Sequence, residues 1–119
     1  MKRSYSVSQN LAEELKEKTL KELKLGYINL SESMFDQAKM NFELVIEYDK
    51  ECSDAYWGLM LVKLNCSNED FLYSSPMTYR CALNLNECAS AIQFATDTQK
   101  KQYLDLLERI IQISEGDNY

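Results

Sequence analysis

No histidine occurs anywhere in the 119 residues. Its absence removes the commonest general base, a principal zinc ligand and the central member of a nucleophilic triad. The three glycines, Gly26, Gly58 and Gly116, stand alone, so no glycine-rich loop is present to cradle a phosphate. A single proline and so few glycines argue against an all-β domain, which needs turn residues at short intervals. They argue equally against a disordered chain, as does a hydrophobic content of 45%. The longest apolar run, Tyr56 to Val62, is far too short to span a bilayer. Basic residues are also scarce, 13 against 19 acidic, for a net charge of −6. Such a surface repels phosphate backbones and anionic lipid headgroups, and no basic stripe with interleaved aromatics interrupts it. Neither nucleic-acid binding nor membrane insertion is expected.

The opening segment, MKRSYSVSQN, has no apolar stretch behind its basic residues and does not read as a secretory signal. A cytoplasmic location follows as the expectation, with Cys52, Cys66, Cys81 and Cys88 reduced and buried. Their spacings of 14, 15 and 7 residues match no zinc pattern, and neither metal nor cofactor is expected. Carboxylates gather at Glu43, Glu47, Asp49, Glu51 and Asp54. At a helix end and turn they read as a solvated acidic face better than as an acid/base pair or calcium loop.

What the sequence does hold is helical periodicity over one domain's length. Ala12, Leu15, Thr19, Leu23, Gly26 and Leu30 recur at steps of three and four, predicting a helix over residues 8–32 with Ser8 as its N-cap. Ser33 is placed to cap a second helix, through residue 49, whose inner stripe is Phe35, Ala38, Phe42 and Val45. Ser53 or Asp54 caps a third over 53–65, apolar nearly all round and so covered on more than one side. Short turns make these helices antiparallel neighbours. Residues 66–84 have no period beyond a short helical turn at Phe71 to Tyr73, and read as an irregular insertion ending near Pro76. A helix pair fills 85–115, its halves opened by two capping boxes, Asn84 with Glu87 and Thr96 with Gln99. The last helix carries a stripe of Tyr103, Leu106, Leu107, Ile110 and Ile113.

Tetratricopeptide repeats follow W-x2-L-G-x2-Y, then A-x3-F, then P, over about 34 residues. Leu25-Gly26 occupies the Leu-Gly slot, and Ala38 and Phe42 fall at the required small and aromatic positions. Leu59 follows Leu25 by 34 residues, with Tyr56 in the aromatic slot before it. The sequence resembles a tetratricopeptide-repeat protein over about Thr19 to Asn65. Glu22, Asn29 and Lys50 depart from the tryptophan, tyrosine and proline of the pattern. Ala55 to Leu72 also resembles a stretch of tetratricopeptide-like bacterial proteins of uncharacterised function. The family resemblance implies an all-α fold of antiparallel helical hairpins: a right-handed superhelix of about 1.5 to 2 repeats plus a C-terminal helix. It implies a concave face lined by the first helix of each repeat, with Leu23, Tyr27, Leu30, Trp57, Leu61 and Asn65 as the partner-binding residues. The family's clamp for peptide carboxylates needs lysine and asparagine where Leu23 and Tyr27 stand, so that mode is disfavoured.

The expected function is a non-catalytic interaction module that holds a protein or peptide on this apolar and aromatic face. The alternative is a structural domain whose face is covered by its own last helix or by a homodimer partner. Burying Trp57 and two leucines contributes on the order of 5 to 8 kcal/mol, at ~25 cal/mol per Å². That rivals the ~5 to 15 kcal/mol total stability of a small domain, which gives the alternative its weight. An enzyme built on lysine, tyrosine and carboxylates is a distant third.

Overall fold

The computed structural model describes residues 2–69 and 85–116, which form five α-helices and no strand. They are α1 (Lys2–Ser31), α2 (Phe35–Tyr48), α3 (Ser53–Lys63), α4 (Asn86–Phe94) and α5 (Asp97–Gly116). The chain is all-helical, as expected. The body is built by α1, α2 and α3 packing on one another, with α4 against the far side of α3.

The first turn differs from expectation in an instructive way. Ser33 does not cap α2, because it is already closing α1. It adopts the left-handed conformation, φ 61°, and its N–H donates to the Leu30 carbonyl at 2.9 Å while Met34 N–H reaches back to Asn29 O at 2.8 Å. That pair of bonds satisfies the last carbonyls of α1. It leaves Met34 as the N-cap of α2, with no side-chain cap. The same device closes α3. Asn65 has φ 54°, its N–H meets Val62 O at 3.0 Å, and Cys66 N–H meets Leu61 O at 2.9 Å.

The body is centred on Phe42. Ala38, Phe42 and Val45 are wholly buried along one face of α2, matching the predicted stripe. A Cβ added to Gly26 on α1 would sit 2.6 Å from the Phe42 ring, and one added to Gly58 on α3 would collide with the same ring. Two helices thus approach one aromatic side chain at their glycines. From Gly26 to Gly58, and from Ser33 to Asn65, is 32 residues in each case. The two departures Glu22 and Asn29 also find a role. Asn29 donates to Asn41 at 2.7 Å, and Asn41 donates to Glu22 at 2.8 Å, a polar clasp joining α1 to α2 where the repeat pattern would place aromatics.

Helix α3 is buried on nearly every side, including Ala55, Trp57, Leu59, Met60, Leu61 and Val62. Neither Ser53 nor Asp54 caps it; Cys52 stands at the N-cap without a side-chain bond. Ser53 turns its hydroxyl across to Ala91 O of α4 at 2.6 Å, and Asp54 is engaged by α5. On α4 the N-cap is Leu85, and Glu87 pairs with Lys63 of α3; the box expected with Asn84 lies outside the described residues. The second box forms as predicted, with Thr96 N–H to Gln99 Oε1 at 3.1 Å and Gln99 N–H to Thr96 Oγ1 at 3.2 Å. The predicted insertion beyond residue 69, with its turn at Phe71 to Tyr73, and the side chains of Ile110 and Ile113 also lie outside the described residues.

Ser8 caps nothing, since α1 begins at Lys2 and runs straight through it. At 1.5 Å per residue its 30 residues span about 45 Å, against about 21 Å for the 14 of α2. The predicted stripe is accordingly divided. Leu23, Gly26 and Leu30 enter the body, whereas every residue from Asn10 to Lys18 is exposed, Ala12 and Leu15 included.

Candidate functional site

Six residues were expected to share a concave face, and the structure distributes them over three environments. Trp57 is 1% exposed. Its indole stacks on the Tyr103 ring of α5, centroids 4.1 Å apart and planes 11° from parallel, and its N–H donates to Glu69 Oε1 at 2.8 Å. A buried indole needs an acceptor for that N–H, and Glu69 supplies it. Leu23 is half-buried and packs against the core. Asn65, engaged in closing α3, is exposed and faces away from the others. It lines a separate cleft of about 460 Å³ with Ser33, Met34, Phe35, Asp36 and Gln37.

Tyr27, Leu30 and Leu61 do come together. They form one wall of a cleft of about 400 Å³, completed by Ser31, Ser67, Asn68 and Glu69. Leu30 and Leu61 show the cleft only their edges, both being 1% exposed, while Tyr27 is half-buried. The spacing behind this wall is helical: Tyr27, Leu30 and Ser31 follow one face of α1, opposite Leu61 near the end of α3. Ser67, Asn68 and Glu69 were not found from the sequence, because they follow α3 and have no place in a groove register. The one available signal was the buried Trp57, whose N–H called for an acceptor close by in the chain.

The floor of the site is held rigidly. Tyr27 donates its hydroxyl to the Asp54 carbonyl at 2.6 Å and meets the Phe42 ring edge-on at 4.9 Å. The Asp54 carboxylate receives Gln99 Nε2 at 2.9 Å and the Tyr103 hydroxyl at 3.2 Å. One residue at the start of α3 thus ties α1 through its backbone and α5 through its side chain. Burial pushes the Tyr27 phenol well above the usual tyrosine range, and the neighbouring Tyr103 and Asp54 push the same way. Tyr103 is pushed up to about 12, by burial first and with the Asp54 carboxylate adding to it. Both phenols stay protonated at neutral pH and act as hydrogen-bond donors.

The described thiols are not set up as nucleophiles. Cys66 and Cys88 are buried, Cys52 is half-buried, and burial raises all three thiols, opposite to the shift that makes a cysteine reactive. Among the described residues no three cysteine, aspartate or glutamate side chains gather as a metal ion would require, and no helix is long and apolar enough to cross a membrane. No family model, curated protein or solved structure matches the chain.

Proposed function

We propose that this chain is a non-catalytic protein-interaction module, of the tetratricopeptide-like kind its sequence resembles, and that it binds a short apolar peptide segment in the cleft beside Tyr27. The observation that supports this most is the convergence of Tyr27, Leu30 and Leu61 on a cleft whose other wall is polar. An apolar floor with a few convergent polar groups at its rim is the usual character of a recognition site. The Trp57 part of the face anticipated from the sequence is covered by α5, whose Tyr103 stacks on the surface of Trp57 that a partner would have used. The site is therefore narrower than a full repeat groove. It suits one or two apolar side chains flanked by groups that hydrogen-bond to Ser31 or Ser67, with Glu69 favouring a basic neighbour.

The test is selection from a displayed random-peptide library with the wild-type protein as bait, counter-screened against Ser31→Trp. Ser31 is exposed at the cleft's edge, so the indole obstructs the cleft without entering the core. Circular dichroism and an unchanged melting temperature establish that the variant is folded. Enriched peptides sharing an apolar anchor and losing affinity for Ser31→Trp by tenfold or more would support the reading. Failure to enrich any peptide, or equal binding to the variant, would defeat it. Self-association is the second reading, favoured by the exposed apolar face of α1.

A further inference from the structure

Helix α5 is attached to the body by few of its described side chains. Tyr103 and Leu107 are buried, Gln99 and Leu106 are half-buried, and the others described along it are exposed. The Tyr103 ring lies on Trp57 of α3. Gln99 Nε2 and the Tyr103 hydroxyl both donate to the same oxygen, Asp54 Oδ1, at 2.9 and 3.2 Å. The rest of the body is fastened differently. Phe42 is enclosed by Gly26 and Tyr27 of α1 and Gly58 of α3. Helix α4 is tied to α3 by the Ser53–Ala91 hydrogen bond and the Lys63–Glu87 pair. Each of these contacts is made without α5.

The connection lets α5 move as one piece. Only Ala95 and Thr96 join it to α4, and Ala95 is in the extended conformation. The Thr96–Gln99 capping box lies at the start of α5 itself, so these first-turn bonds travel with the helix when it leaves. An element with few buried apolar side chains opens at lower free energy than the core it covers. We propose that α5 is a displaceable cover over Trp57, swinging about Ala95–Thr96 as a unit while α1 to α4 stay folded, with the Asp54 carboxylate as its latch. Opening removes the Tyr103 ring from the indole. Glu69 both lines the cleft beside Tyr27 and accepts the Trp57 N–H, so the uncovered indole becomes continuous with that cleft. The contact is therefore autoinhibitory: a ligand that uses Trp57 binds only the open fraction, and its apparent affinity falls by that fraction. This consequence rests on the interaction function proposed above; the opening itself does not.

Native-state hydrogen exchange on the full chain, residue by residue and in rising sub-denaturing urea, tests the opening without any ligand. The amides of α5 should exchange about tenfold or more faster than those of α2 around Phe42, with a weaker urea dependence, because their opening exposes less surface. Asp54→Ala removes the shared acceptor but keeps the backbone carbonyl that Tyr27 uses, and should speed α5 exchange about tenfold or more. Val45→Ala, in the α2 core, should speed α2 exchange and leave α5 exchange unchanged, because α2 remains folded while α5 is open. One rate and one urea dependence shared by α5 and α2 would overturn the proposal from the wild-type protein alone, whether or not either variant folds. Equal acceleration of both helices by Val45→Ala would overturn it as well. Wild-type exchange of α5 in a folded Asp54→Ala variant would overturn the latch.

Discussion

Replacing Gly58 with alanine sets two opposing effects against each other, and the structure says which is larger. In an ordinary helix interior the change is favourable by about 1 kcal/mol, because glycine has the greater backbone entropy to lose. Here the new methyl collides with the Phe42 ring. The ring has little freedom to yield: it is wholly buried, Tyr27 stands edge-on to it at 4.9 Å, and Gly26 of α1 is already in close approach. Overpacking of this kind costs about 1 to 3 kcal/mol, so the net change is destabilising by up to about 2 kcal/mol. For a domain of this size that lowers the melting temperature by several degrees, roughly 3 to 6 °C per kcal/mol. Urea unfolding followed by circular dichroism measures it, and a double-mutant cycle identifies its origin. In a Phe42→Leu background the same Gly58→Ala change should be neutral or stabilising, giving a coupling of about 1 to 3 kcal/mol. A wild-type background in which Gly58→Ala raises stability by the full helix-propensity gain would refute the account of the core.

Three further perturbations test other parts of the structure. Ala38→Arg places a charge at a wholly buried position where α2 meets α1, and should cost more than about 4 kcal/mol or prevent folding, read as loss of the cooperative melt. Ser33→Gly relieves a left-handed serine while lengthening the unfolded chain's conformational freedom; the balance should be stabilising by up to about 1 kcal/mol in urea midpoint. Raised phenol pKa values make the folded state hold protons that the unfolded state has released above pH 10. Stability should therefore be constant up to about pH 10 and fall as pH rises towards about 12, through Tyr103 and Tyr27. Tyrosinate absorbance should show these two titrating only as the protein unfolds.

How much of this was legible in the sequence depended on whether a residue's partner lay nearby in the chain. The α2 stripe and the Thr96–Gln99 box are local patterns, and both appear as read. The packing of α3 on several sides was likewise evident from its uniform apolarity. Where the reading went astray, a distant partner had taken the residue: Ser53 and Asp54 look like caps but are drawn to α4 and α5. Ser33 failed as a cap because its backbone was committed to the end of α1. Glu22 and Asn29, which looked like losses from a repeat pattern, are joined through Asn41, a link no periodicity reveals. In the candidate site, Tyr27, Leu30 and Leu61 were named through the repeat register that the family resemblance implies, and the structure brings these three to one cleft. Covering of Trp57 by the last helix was weighed as the alternative from the energy of burying it; that the Tyr103 ring would supply the cover was not legible, because it depends on where α5 docks.

That closure decides how wide the recognition face is, and Trp57 reports on it directly as the single tryptophan of the chain. Its fluorescence emission, with acrylamide quenching, should be measured on the native protein and on Tyr103→Ala. The stacked ring and the Glu69 bond predict blue-shifted emission that acrylamide barely reaches in the wild type, and a red-shifted, readily quenched indole once Tyr103 is removed. Ready quenching in the wild type would contradict the account, placing Trp57 on an open face and the binding site over the full groove.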